Sequence, residues 1–141
     1  MIQVFCNKRG SGKTKELINL ANRNVLTEKG NSVFIDDDSR CMLQVDKKIR
    51  FISTSDLGLM SYEGMYGFLC GIISEDYDIE NIYIDGLCNI VDCEIENAAH
   101  LFYKLDELAN RFGINVYISI NHEKEAPEFI QKYTNYQLVA N

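Results

Sequence analysis

The chain has 141 residues, of which 46% are hydrophobic and 25% are charged, and it contains one proline. This length and apolar content predict one compact domain with its own core, spanning residues 1–141. The formal net charge of −7 argues against broad binding to nucleic acid or anionic lipid, because both need a basic surface that displaces counterions.

The start of the sequence lacks a charged segment followed by an apolar leader, and no run of about 18 apolar residues occurs anywhere. The pattern therefore indicates neither secretion nor membrane spanning. We expect a cytoplasmic protein that does not bind membranes.

The first half of the chain alternates short apolar runs with longer amphipathic segments. From residue 13 to about residue 29, Leu17, Ile18, Ala21 and Val25 recur at helical spacing, and Gly30 suits the end of that helix. The elements predicted for this half are, in order, a strand at 2–5, a helix at 13–29, a strand at 32–36 and a short edge strand at 49–53.

The second half continues the alternation, starting with a helix that contains three glycines, each costing roughly 1 kcal/mol relative to alanine in a helix interior. The elements predicted here are, in order, a helix at 61–76, a strand at 81–86, a helix at about 93–112, a strand at 115–120, a helix at 127–133 and a strand at 136–140. Such alternation predicts an α/β fold with a mainly parallel sheet of about five strands and helices on both faces. Ligands of such sheets bind beyond the carboxyl ends of the strands.

The segment "CNKRGSGKTKEL" (6–17) connects the first predicted strand to the first predicted helix. At this position backbone N–H groups converge on a phosphate, and the helix dipole adds positive potential. Gly10 and Gly12 allow close approach to the phosphate oxygens. Lys13 can reach the β and γ phosphates, and the Thr14 hydroxyl can ligate Mg²⁺.

Asn7 stands where the first glycine of such a phosphate loop is expected. Asparagine is the non-glycine residue that most readily adopts left-handed backbone geometry, so the loop is weakened without being broken. The loop residues predicted to bind the phosphates are Lys8, Arg9, Gly10, Ser11, Gly12, Lys13, Thr14 and Lys15.

A carboxylate should accompany this loop, and "IYID" (82–85) is an apolar strand that ends in Asp85. An aspartate at such a position lies beside the magnesium of a bound nucleotide. Two alternatives stay open: Asp85 and Gly86 form only a turn, or the competing segment "VFIDDD" (33–38) supplies the carboxylates. That segment is equally consistent with a solvated loop or with a base-recognition edge.

These motifs, in this order, resemble the P-loop NTPase superfamily, with Walker A at residues 7–14 and Walker B at residues 82–85. Within it, the chain looks like small stand-alone bacterial ATP-binding proteins that carry a motility-ATPase-like label. The resemblance implies ATP or GTP and Mg²⁺ bound by Lys13, Thr14 and Asp85, with Lys13 and Asp85 catalytic and Thr14 and Asp85 at the metal. It also implies a polar sensor on a later strand, for which Ser119 or Asn121 fits.

Two departures from that pattern bear on activity. Many ATP-hydrolysing members place a glutamate after the Walker B aspartate, whereas this chain has Gly86. Arginine is scarce, so a lid of phosphate-clamping arginines is not evident. We therefore expect slow hydrolysis that acts as a switch for an unidentified protein partner.

Two other classes of function stay open. The stretch "SGKTKELI" (11–18) resembles the loop and helix of thymidine kinases, which favours a small-molecule, nucleoside-type kinase. The chain lacks their paired-cysteine zinc ribbon and the acidic pair after Walker B. A non-catalytic interaction module that retains the fold is the other alternative, and nucleic-acid motors are disfavoured by the acidic charge.

Overall fold

The computed structural model of the chain describes residues 1–58, 60–92 and 94–134. The strands are β1 Ile2–Asn7, β2 Asn31–Asp36, β3 Arg50–Ser53, β4 Ile79–Ile84 and β5 Asn115–Asn121. The helices are α1 Lys13–Asn24, α2 Tyr62–Glu75, α3 Leu87–Ile90, α4 Ala99–Phe112 and α5 Glu128–Thr134, and short 3₁₀ turns lie at Met42–Gln44 and Ile95–Asn97.

All strands of the described residues join one sheet in the order β1-β5-β4-β2-β3, and every neighbouring pair is parallel. The prediction of an α/β fold with a parallel sheet of about five strands is confirmed. The strand predicted at 136–140 lies outside the described residues.

Helices cover both faces of the sheet. On one face α1 packs against β2, β4 and β5, with a core of Leu17, Ile18, Leu20, Ala21, Phe34, Tyr83 and Tyr117. On the other face α2, α4 and α5 cover the alternate residues of the same strands, including Ile35, Ile84 and Ile118. Because side chains alternate between faces along a strand, each central strand is apolar on both sides, which is why these strands are nearly continuous apolar runs.

An aromatic row crosses the α1 face of the sheet. Phe51, Phe34, Tyr83 and Tyr117 occupy matching register positions on β3, β2, β4 and β5. Their ring centroids lie 5.7, 6.0 and 5.1 Å apart along the row, with nearly parallel planes. Stacking of this kind adds to the burial energy and links the strands side by side.

The predicted end of the first helix is wrong, because α1 stops at Asn24 and not near residue 29. The amide of Glu28 still bonds to the Asn24 carbonyl at 3.0 Å, but the chain no longer continues as a helix. The Glu28 carboxylate accepts hydrogen bonds from Ser32 and Asn81 at the amino ends of β2 and β4. This polar anchor holds residues 25–28 as a turn against the sheet.

The predicted start of the long helix near residue 93 is also wrong, because α4 begins at Ala99. Val91 forms an isolated parallel bridge with Met60, and the Asp92 amide donates to the Met60 carbonyl at 3.1 Å. That pairing extends the backbone and delays the helix. The other helices and strands predicted within the described residues agree with the structure within one or two residues, and the glycine-containing helix forms as α2.

Candidate functional site

The loop between β1 and α1 contains two glycines in left-handed backbone geometry, whereas Asn7 ends β1 and does not adopt the left-handed geometry expected of it. Gly10 and Gly12 have φ values of 82° and 87°. A Cβ built on either glycine meets no atom within 4 Å, so the space beside both residues is open. Because α1 starts directly after Gly12, its unpaired N–H groups and positive dipole end face the same space.

Lys13 folds back over this loop and is only 7% exposed. Its Nζ donates to the carbonyls of Asn7 and Lys8 at 3.0 and 2.7 Å, and to the Ser11 hydroxyl at 3.0 Å. Burial lowers the pKa of the Lys13 ammonium, whereas the Asp85 carboxylate acts in the opposite direction. The loop therefore holds a buried ammonium group among its own oxygens.

Asp85 lies directly after β4 and links three parts of the fold. The Thr14 hydroxyl lies 3.0 and 3.2 Å from its two carboxylate oxygens, and the Ser119 hydroxyl donates to Oδ1 at 2.7 Å. Ser119 in turn accepts from the Gly86 amide at 2.7 Å. A hydroxyl next to a carboxylate offers the oxygen ligands that Mg²⁺ prefers, so the donor atoms of this pair fit such an ion.

Asp36 ends β2 on the strand next to Asp85. The backbone pairing of these strands continues to this point, because the Asp85 amide donates to the Ile35 carbonyl at 2.8 Å. Asp36, Asp85 and Ser119 each follow a residue of the aromatic row by two positions. Since side chains alternate along a strand, the three form a polar row on the same face of the sheet.

The Asp36 carboxylate is buried, with 5% of the residue exposed. Its Oδ1 accepts from the Asp37 amide at 2.7 Å. Burial raises the pKa of the Asp36 carboxyl to about 8, and the nearby Asp37 and Asp85 groups add to the rise. The sequence left the 33–38 segment as an alternative to Asp85 for the carboxylate near the metal. In the structure Asp36 of that segment and Asp85 lie side by side.

A cavity of about 680 Å³ connects the loop to both carboxylates. Its lining includes seven of the nine predicted nucleotide-binding residues and the predicted metal ligands, namely Arg9, Gly10, Gly12, Lys13, Thr14, Lys15, Asn121 and Asp85. Of the other two, Lys8 supplies its carbonyl and Ser11 its hydroxyl to Lys13. The cavity continues past Asp36 to Arg40 and Gln44, which sequence reasoning missed.

Gly86, which replaces the expected glutamate, has a φ of 72°. A Cβ added there would lie 2.9 Å from the Asn89 side-chain nitrogen. A glutamate at this position would therefore be strained by the backbone and would also displace Asn89. The local backbone explains why this position carries no carboxylate.

Neither a model of a known protein family nor a curated protein matches the chain. Within residues 1–58, 60–92 and 94–134, no helix combines the length and apolar character needed to cross a bilayer.

Asp36 should make stability depend on pH. An acid whose pKa is raised from 3.8 to about 8 on folding destabilises the folded state increasingly as pH rises through that interval. We expect Asp36→Asn to leave the free energy of unfolding nearly unchanged near pH 4 and to raise it by roughly 1–3 kcal/mol at pH 8, since relaxation around a buried charge reduces its full cost.

Urea denaturation at pH 4, 6 and 8 in magnesium-free buffer measures this difference. Asp56→Asn is the control, because Asp56 is exposed and its removal changes the net charge equally. A gain for Asp36→Asn that is the same at all three pH values would contradict the prediction.

Proposed function

We propose that the protein binds ATP or GTP together with Mg²⁺ and hydrolyses it slowly, as a switch for a protein partner in the cytoplasm. The observation that carries this proposal is that Lys13 and the hydrogen-bonded pair Thr14 and Asp85 line one cavity. We interpret the loop and these side chains as the phosphate and metal sites of a P-loop NTPase.

In this proposal each group has a defined task. Main-chain N–H groups of residues 10–14 and the Lys13 ammonium bind the β and γ phosphates. Thr14 and Asp85 hold Mg²⁺, and Ser119 orients Asp85 through its 2.7 Å hydrogen bond. The metal supplies positive charge that offsets the charge developing on the phosphate oxygens.

Lys13→Ala should weaken binding of MgATP about 10- to 100-fold, because charge-assisted hydrogen bonds of the ammonium to phosphate are lost. Isothermal calorimetry measures the affinity, and circular dichroism checks that the variant is folded. Lys47→Ala, at an exposed position, removes the same charge and should bind as wild type does. Unchanged affinity of folded Lys13→Ala would refute the proposed phosphate site.

Asp85→Asn should weaken the magnesium-dependent part of nucleotide binding more than Asp37→Asn does. Asp85 contacts Thr14, whereas the half-buried Asp37 has no described bond to the loop. Titrations of each variant with ATP, with and without Mg²⁺, give the metal-dependent part as a difference. The reverse ranking would move the metal site to the 36–38 segment.

A nucleoside-type kinase is the second candidate, because the cavity continues beyond the loop to Arg40 and Gln44 and has space for a second substrate. We expect isolated wild type to release phosphate from ATP at about 10⁻³ to 10⁻² s⁻¹ or less, the range of P-loop proteins without an outside activating group. Phosphate release is measured alongside phosphoryl transfer to a panel of nucleosides, with Lys13→Ala as the control for contaminating enzymes.

Phosphoryl transfer to a nucleoside that exceeds the release of phosphate would replace the switch with the kinase. Turnover by wild type above about 1 s⁻¹ would show that activation is complete without a partner, contrary to the switch.

A further inference from the structure

Asp36 is a buried carboxylate beside the candidate phosphate site. The roles proposed above for that site leave Asp36 without a function. We propose that Asp36 is the catalytic base of this protein, the group that accepts a proton from the water attacking the γ-phosphate. The inference rests on the proposed nucleotide binding and deepens it. It assigns a residue to the activation of water, for which Gly86 has no side chain.

The first support is position. Strands β2 and β4 pair in parallel up to Ile35 and Ile84, so the residues that follow, Asp36 and Asp85, are neighbours across the sheet. Adjacent strands lie about 4.8 Å apart, so a carboxylate at Asp36 lies one strand away from the candidate metal ligand. Both residues line the cavity that contains Lys13.

The second support is the way the other carboxylates of this cavity are engaged. Asp85 is held by the Thr14 and Ser119 hydroxyls, and Asp38 forms an ion pair with Arg40 at 2.7 Å. Asp36 forms no ion pair with any described lysine, arginine or histidine.

In its ionised form, a carboxyl group that is 5% exposed and lacks a counter-charge is costly for the fold. Its hydrogen bonds are to the neighbouring Asp37, whose amide donates to it at 2.7 Å, and they bring no positive charge to the carboxylate. The cost therefore indicates a functional role for the Asp36 side chain.

The third support is the absence of a better-placed base. Gly86 cannot carry a carboxylate without strain, as its φ of 72° and the contact with Asn89 require. Glu123, which follows β5, is exposed and does not line the cavity. Among the described carboxylates that line the cavity, Asp36 and Asp37 are left, and Asp37 is the more exposed of the two.

The proposed step is balanced in atoms and charge. A water molecule attacks the γ-phosphorus, its oxygen forms the new P–O bond, and one O–H proton passes to the Asp36 carboxylate. The bond between the γ-phosphorus and the bridging oxygen breaks, and its electron pair stays on the nucleoside diphosphate. Asp36 then returns the proton to solvent or to the released phosphate. General-base assistance of this type typically contributes 10²- to 10⁴-fold to the rate.

The test is single-turnover hydrolysis of ATP labelled at the γ-phosphate, with excess protein, saturating Mg²⁺ and sampling over a day. We expect Asp36→Asn to lower the hydrolysis rate about 100-fold or more, while MgATP affinity stays within about threefold of wild type. Asp36→Glu should recover part of the rate. Asp56→Asn, which removes the same charge at an exposed position outside the cavity, is the control and should hydrolyse within about threefold of wild type.

Chemical rescue separates a proton-accepting role from a structural one. We expect sodium formate, but not sodium chloride, to raise the hydrolysis rate of Asp36→Ala, because formate can occupy the space of the missing carboxylate. This arm also serves if the asparagine variant fails to fold. Formate that leaves the rate of folded Asp36→Ala unchanged would overturn the inference.

The two proposals fail in different ways. If wild type does not bind MgATP or MgGTP, the proposed function fails. If wild type binds and hydrolyses the nucleotide and Asp36→Asn does so at the same rate, only the assignment of Asp36 is wrong. Loss of MgATP binding in Asp36→Asn would show a binding role and would also overturn the assignment.

Discussion

The parallel register of β2, β4 and β5 is the constraint on which the candidate site depends. It aligns the stacked Phe34 and Tyr83 rings and, two residues later, aligns Asp36, Asp85 and Ser119 above the same face. A slip of one residue would turn a carboxylate toward the opposite, apolar face. Stacking in the aromatic row therefore stabilises the strand register that aligns the polar row next to it.

The opposite end of the sheet specifies the same register with polar groups. The Asn81 amide donates to the Glu28 carboxylate at 2.9 Å, and Asn115 donates to Asn81 at 3.1 Å, which joins β4 to β5. Asn24 donates to the Tyr83 hydroxyl at 3.0 Å, which ties the end of α1 to the aromatic row. Buried polar groups with satisfied hydrogen bonds specify one arrangement more sharply than apolar contacts do.

Local sequence patterns account for the parts of the candidate site that could be predicted. The glycine spacing around Lys13 and the apolar run before Asp85 indicate a loop and a carboxylate without knowledge of the fold. The proximity of Asp36 to Asp85 was not predictable, because it depends on which strands are neighbours, and the two residues lie 49 positions apart in the sequence. The start of α4 was missed for a similar reason, since the bridge between Val91 and Met60 is not visible in helical periodicity.

An anion that binds to Lys13 in the proposed phosphate site must compete with the hydrogen bonds that Lys13 makes to its own loop. A phosphate group must replace the Asn7 and Lys8 carbonyls and the Ser11 hydroxyl as acceptors, so net affinity is the difference between two sets of bonds. A weakly charged anion gains little from this exchange, whereas a multiply charged phosphate chain gains at several donors at once. In the proposed phosphate site, these three hydrogen bonds would therefore select against small, weakly charged anions.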